Sequence, residues 1–127
     1  MRVSKQTYEK LMNHSIDYKQ NKYKNKKVIY NGIKFDSQKE RNYYIKLKVL
    51  EEYGKIKNLK LQVKFELQPS FKFNGKTIRS INYVADFVYY DIGQDKTIIV
   101  DTKGVKTEVY KIKKKMMQYK GYEIEEV

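Results

Sequence analysis

The stretch from Ile81 to Lys103 constrains this chain more than any other. Residues 81–90 and 97–103 are both rich in β-branched and aromatic residues, and Asp91-Ile92-Gly93-Gln94-Asp95-Lys96 between them has turn composition. The sequence therefore predicts two antiparallel strands joined by a short loop. A turn centred between Gly93 and Gln94 sets Asp86 opposite Asp101, and side-chain alternation puts Lys103 on the same face. Two carboxylates facing each other among apolar neighbours repel unless a cation compensates them. Oxygen-only ligands favour Mg²⁺ (or Mn²⁺), which takes one or two carboxylates and keeps waters and substrate phosphate as its other ligands. Ordinary solvated strand ends carry the same residues, and an odd-length loop or a bulge separates the two aspartates onto opposite faces.

Charge narrows the partner. The 127 residues, enough for one small domain, hold 28 Lys+Arg against 15 Asp+Glu, a formal net charge of +13. Such an excess points to a polyanion, nucleic acid ahead of anionic membrane because no basic amphipathic helix shows a membrane face. Abundant Lys, Asn, Ile and Tyr with one Pro and no Trp also match what an A/T-rich genome encodes, which inflates the lysine count. With no cysteine and His14 as the single histidine, thiol chemistry, disulfides and His/Cys metal clusters are excluded. No apolar run approaches membrane-spanning length and no hydrophobic signal core opens the chain, so a soluble, cytoplasmic protein is expected.

Along the chain, residues 1–27 carry eight Lys/Arg, Lys24, Lys26 and Lys27 among them, against Glu9 and Asp17, a net +6. They read either as a basic arm that follows phosphates or as a solvated tail. A folded domain is expected over 28–127. It opens with a hairpin at Val28–Phe35 turned by Asn31-Gly32. A helix follows from Ser37 to Tyr53, with Tyr43, Leu47 and Leu50 inward and Glu40 on their face. Ser37-Gln38-Lys39-Glu40 also matches a capping box, which leaves Glu40 open between cap and site. Leu59–Leu67 alternates as a strand with one dry face, ended by Gln68-Pro69. Asn74-Gly75 turns a second hairpin. After Gly104 a helix is expected from Thr107 to Lys120, packing through Val109, Ile112, Met116 and Tyr119 and presenting Lys111, Lys113, Lys114, Lys115 and Lys120. Seven lysines against Glu108 make residues 103–120 a second +6 cluster. A closing strand at Tyr122–Val127 implies a crossover into a parallel neighbour.

An acidic residue on the first helix, aspartate on a core strand and acid-x-lysine on the next, in an αβββαβ order, resembles the PD-(D/E)XK nuclease superfamily over residues 30–127. Glu40, Asp86, Asp101 and Lys103 are the matching positions. Phe35-Asp36-Ser37-Gln38-Lys39-Glu40, Leu67-Gln68-Pro69, Tyr83-Val84-Ala85-Asp86-Phe87 and Val100-Asp101-Thr102-Lys103-Gly104 are similar to motifs of small phage-encoded endonucleases. They are similar also to those of the end-cleaving nuclease subunit of some transposons. Ala85 stands where the superfamily name has Pro, and no further target-choosing domain is present. The resemblance implies a restriction-endonuclease-like α/β core, a central mixed sheet flanked by helices and preceded by the basic arm. It implies a Mg²⁺-dependent endodeoxyribonuclease holding its metal through Asp86, Asp101 and Glu40, with Lys103 catalytic and Gln68 as a secondary rim residue. Duplex or branched DNA is the expected substrate, with RNA as the alternative polymer and a homodimer where both strands are cut. The phage-like motifs would place it in a host cell's cytoplasm. A non-catalytic nucleic-acid-binding module keeping the same fold is the competing expectation.

Overall fold

Asn31 and Gly32 both take positive φ, 51° and 75°, and fold β1 (Val28–Tyr30) antiparallel onto β2 (Ile33–Phe35), with Val28 opposite Phe35. This is the turn an Asn-Gly pair favours. The computed structural model describes residues 27–103 and 106–127. The expected basic arm, Lys24 and Lys26 included, lies outside the described residues apart from Lys27, which is exposed. Helix α1 (Gln38–Glu52) starts where Ser37 Oγ accepts from the Glu40 amide at 3.1 Å. It stops at Gly54, whose φ of 74° accompanies a bond from the Lys55 amide to the Leu50 carbonyl. Strand β3 (Ile56–Gln68) then runs to Pro69. A second Asn-Gly turn joins β4 (Phe71–Phe73) to β5 (Lys76–Ile78), with Phe71 opposite Ile78. The expected central hairpin is β6 (Ile81–Asp91) and β7 (Lys96–Asp101), followed by α2 (Glu108–Tyr119) and β8 (Ile124–Glu126).

The protein is mixed α/β. Its central sheet has the order β3-β6-β7-β8, and β8 runs parallel to β7 with Ile99 beside Ile124 and Asp101 beside Glu126. The strand-helix-strand order predicts that parallel return. No described helix is long and apolar enough to cross a membrane.

Two compact units make up the chain. The first holds the described residues up to Leu59 together with Tyr90–Lys96. Phe35 and Tyr44 pack in it with ring centroids 5.1 Å apart. The buried rows of α1 are Glu40-Tyr44-Leu47 and Arg41-Ile45-Val49, whereas the expected stripe ran through Tyr43 and Leu50. Those two fall at the edge of the buried face and are half-buried, because two adjacent rows, rather than one, are covered.

The second unit comprises Lys60–Tyr89 and Thr97–Val127. Its core joins Leu67, Tyr83, Ala85 and Ile99 of the sheet to Tyr110 and Met117 of α2 and Ile124 of β8. Here the expected helix face is corrected. Val109, Ile112 and Tyr119 are 61 %, 58 % and 93 % exposed, and Met116 is half-buried. Tyr110 and Met117, two turns apart, form the buried row, and the half-buried Lys113 and Lys114 lie between them. Lysine stems lie along apolar surface while their ammonium groups stay wet, so a row that reads as charged in sequence can face a core.

Candidate active site

Asp101 closes β7, and its carboxylate, 1 % exposed, is held from two sides. The Lys103 amide donates to Oδ1 at 2.9 Å, and the Tyr83 hydroxyl donates to Oδ2 at 2.6 Å. The Lys103 ammonium stands 3.5 Å from the same Oδ2 and lies over the rings of Tyr83 and Tyr110, 5.8 and 5.4 Å from their centroids. Lys103 is thus fixed by one carboxylate and two aromatic faces, a combination of ion pairing and cation–π attraction.

Asp86, 7 % exposed, reaches the residue between Asp101 and Lys103. Its Oδ2 accepts from both the amide and the hydroxyl of Thr102 at 2.8 Å. Among the described residues its Oδ1 has a single long contact, 3.5 Å, with Gln62 Nε2. Tyr83 and Ala85 of β6 belong to the core cluster under α2, and the partly buried Val88 packs against it. The register argument set Asp86 face to face with Asp101. In the structure the two carboxylates are bonded instead to different partners, Asp86 to Thr102 and Asp101 to Tyr83.

Both carboxylates act electrostatically on the same two phenols. Burial, and then the bond to Asp101, pushes the Tyr83 hydroxyl well above the ordinary tyrosine value. Burial likewise raises Tyr110, whose hydroxyl donates to Glu126 at 2.7 Å. That bond and the Lys114 ammonium hold the Glu126 carboxyl down at about 2.

The structure brings together Asp86, Asp101 and Lys103 of the expected site. Tyr83, Tyr110 and Thr102 join them without having been singled out in the sequence; an aromatic three residues before an aspartate reads as core there, and Thr102 as the spacer of acid-x-lysine. Glu40 belongs to the other compact unit, buried in the first turn of α1. Gln68 ends β3, half-buried, and takes no part in these bonds. Among the lysines of α2, Lys111 pairs with Glu108 at 3.2 Å and Lys114 with Glu126 at 3.0 Å. Lys113, Lys115 and Lys120 make no ion pair among the described residues.

As a metal site the donors are hard oxygens. No group of three or more His, Cys, Asp or Glu that could hold a metal stands among the described residues, so the fit rests on the two carboxylates of Asp86 and Asp101. Two is the number Mg²⁺ accepts when waters and a phosphate complete its shell. Asp86 is held by neutral donors, Thr102 and Gln62, which leaves its charge available to a cation. Hard oxygen donors of this kind are those that Mg²⁺ or Mn²⁺ would take.

A family model described as "Protein of unknown function (DUF1064)" matches residues 20–127, and the chain belongs to that family. No curated protein and no solved structure matches it.

Proposed function

We propose that this member of the family is a Mg²⁺-dependent phosphodiesterase of the PD-(D/E)XK type, an endonuclease acting on duplex or branched DNA. The observation that carries the reading is the gathering of two buried carboxylates and an ammonium around one tripeptide, Asp101-Thr102-Lys103, with Asp86 bonded to its middle residue.

Asp86 and Asp101 would hold the ion through oxygens not already saturated by Thr102, Tyr83 and Lys103. Bound there, Mg²⁺ supplies a water of lowered pKa and neutralises charge on the phosphate. Tyr83 and the Lys103 amide fix the orientation of Asp101. Lys103, held against Asp101 at 3.5 Å, offsets the negative charge that builds on the phosphoryl oxygens during in-line attack. A water oxygen bonds to phosphorus and gives up one proton to solvent, the bond to the 3′ oxygen breaks, and that oxygen takes up a proton from solvent as it leaves, giving 5′-phosphate and 3′-hydroxyl ends. Lys113, Lys115 and Lys120 supply phosphate contacts. One such site cuts one strand, so a double-strand break requires two copies.

The second reading, a binding module without turnover, draws on the Lys103–Asp101 ion pair, which already neutralises one of the two carboxylates. Labelled duplex, flap, four-way-junction and single-stranded substrates, each incubated with Mg²⁺ and with chelator, separate the two. Cleavage in Mg²⁺ alone supports the enzyme; equal binding in both conditions with no cleavage supports the module.

A further inference from the structure

Between the start of β6 and α2 lie two adjoining hollows that share Asn82, Val109 and Lys113. One continues along α2 past Ile81, Ile112 and Met116; the other continues to Val84, Tyr83 and Lys103. Two observations describe what this groove can take. Its walls are apolar and open, with Val84 40 % and Ile81 36 % exposed beside the exposed Val109 and Ile112. Its charged lining residues, Lys103 and Lys113, are both cations.

The two cations argue for an anion, and the aliphatic walls for a flat apolar surface. A nucleotide has both features: apolar faces on the base and phosphates on either side.

We propose that this groove holds an unpaired nucleobase of a nucleic-acid substrate, its faces against Val109, Val84 and Ile112, and its flanking phosphates on Lys103 and Lys113. The inference rests on the phosphodiesterase reading for its choice of polymer, and it deepens that reading by naming the substrate class, a strand with an unpaired nucleotide at the site. Branched and flap structures offer such a nucleotide, whereas an intact duplex has to be opened to provide one.

The test measures binding of the full chain in chelator, where cleavage plays no part. Labelled oligothymidine is compared with an abasic strand of equal length, which has the same phosphates and no bases. The base-bearing strand should bind about tenfold tighter. A Val109→Ala/Ile112→Ala double variant, changed at exposed positions only and checked for an unaltered melting curve, should lose that preference and bind the abasic strand as the parent does. Equal affinity of the parent for the two strands overturns the proposal, as does a preference that survives in the double variant. Capture by anionic phosphatidylserine vesicles that the double variant alone loses, without base preference, also overturns it and assigns the groove to a membrane surface. A protein that prefers bases yet cleaves nothing in Mg²⁺ keeps the groove and removes the nuclease reading; one that cleaves without preferring bases does the reverse.

Discussion

Asp101 and Glu126 sit side by side on parallel strands, and the surroundings of Glu126 are ones that a titration can read. Asp101 is enclosed by Tyr83 and Lys103. Glu126 ties the end of the chain to α2 by accepting from Tyr110 and facing Lys114 and Lys106 at 3.0 and 3.2 Å. Its folded pKa, about 2, lies below the ordinary glutamate value of 4.5. The stabilisation it gives is therefore complete above the unfolded value and is lost as pH falls from there towards 2. In Glu126→Gln the melting temperature should fall less steeply than in the parent between pH 5 and pH 2, since that charge no longer titrates; parallel curves would remove Glu126 from the acid response. Glu40 poses a different question at the same scale. Ser37 caps its amide, and an amide side chain serves a capping box nearly as well as a carboxylate. If the Glu40 carboxylate also serves the reaction, Glu40→Gln should lower cleavage by about a hundredfold. Full activity in that variant would assign Glu40 to the helix end alone.

Among the elements, α2 separates what its sequence shows from what its packing decides. Met117 is fully buried at the centre of the second unit's core, while Ile112 is 58 % exposed. Met117→Ala should cost about 2–5 kcal/mol in urea unfolding, and Ile112→Ala should stay within about 0.5 kcal/mol. The reverse order would restore the Val109-Ile112-Met116-Tyr119 stripe. That stripe was the natural reading because aliphatic residues at helical spacing mark a buried face. It failed because Tyr110 carries its hydroxyl to Glu126 and takes the inner position, a long-range partnership that no periodicity contains. The features specified locally were legible: both Asn-Gly turns, the Ser37 cap, the stop at Pro69 and the limits of the central hairpin. In the site, Asp86, Asp101 and Lys103 could be picked out because carboxylates are depleted in strands and stood inside apolar runs. Tyr83 and Thr102 could not, since their part depends on which side chains of β6 and the end of β7 meet across the sheet, which no local pattern contains.

For the molecule as a whole, a chain of net charge +13 encloses two carboxylates at a place where polyanion binding alone would favour none. The proposed phosphodiesterase reading gives these two carboxylates a use that a plain polyanion binder would lack. The most direct measurement compares Asp86→Ala with the parent on whichever labelled DNA the parent cleaves best, following product in Mg²⁺ and DNA affinity in chelator from the same preparations. Removing Asp86 takes away one of the two proposed metal-holding carboxylates and leaves the lysines of α2 in place. Cleavage should fall by about a thousandfold or more while affinity is kept or rises. Cleavage by Asp86→Ala at the parent's rate would contradict the assignment of this hairpin as an active site.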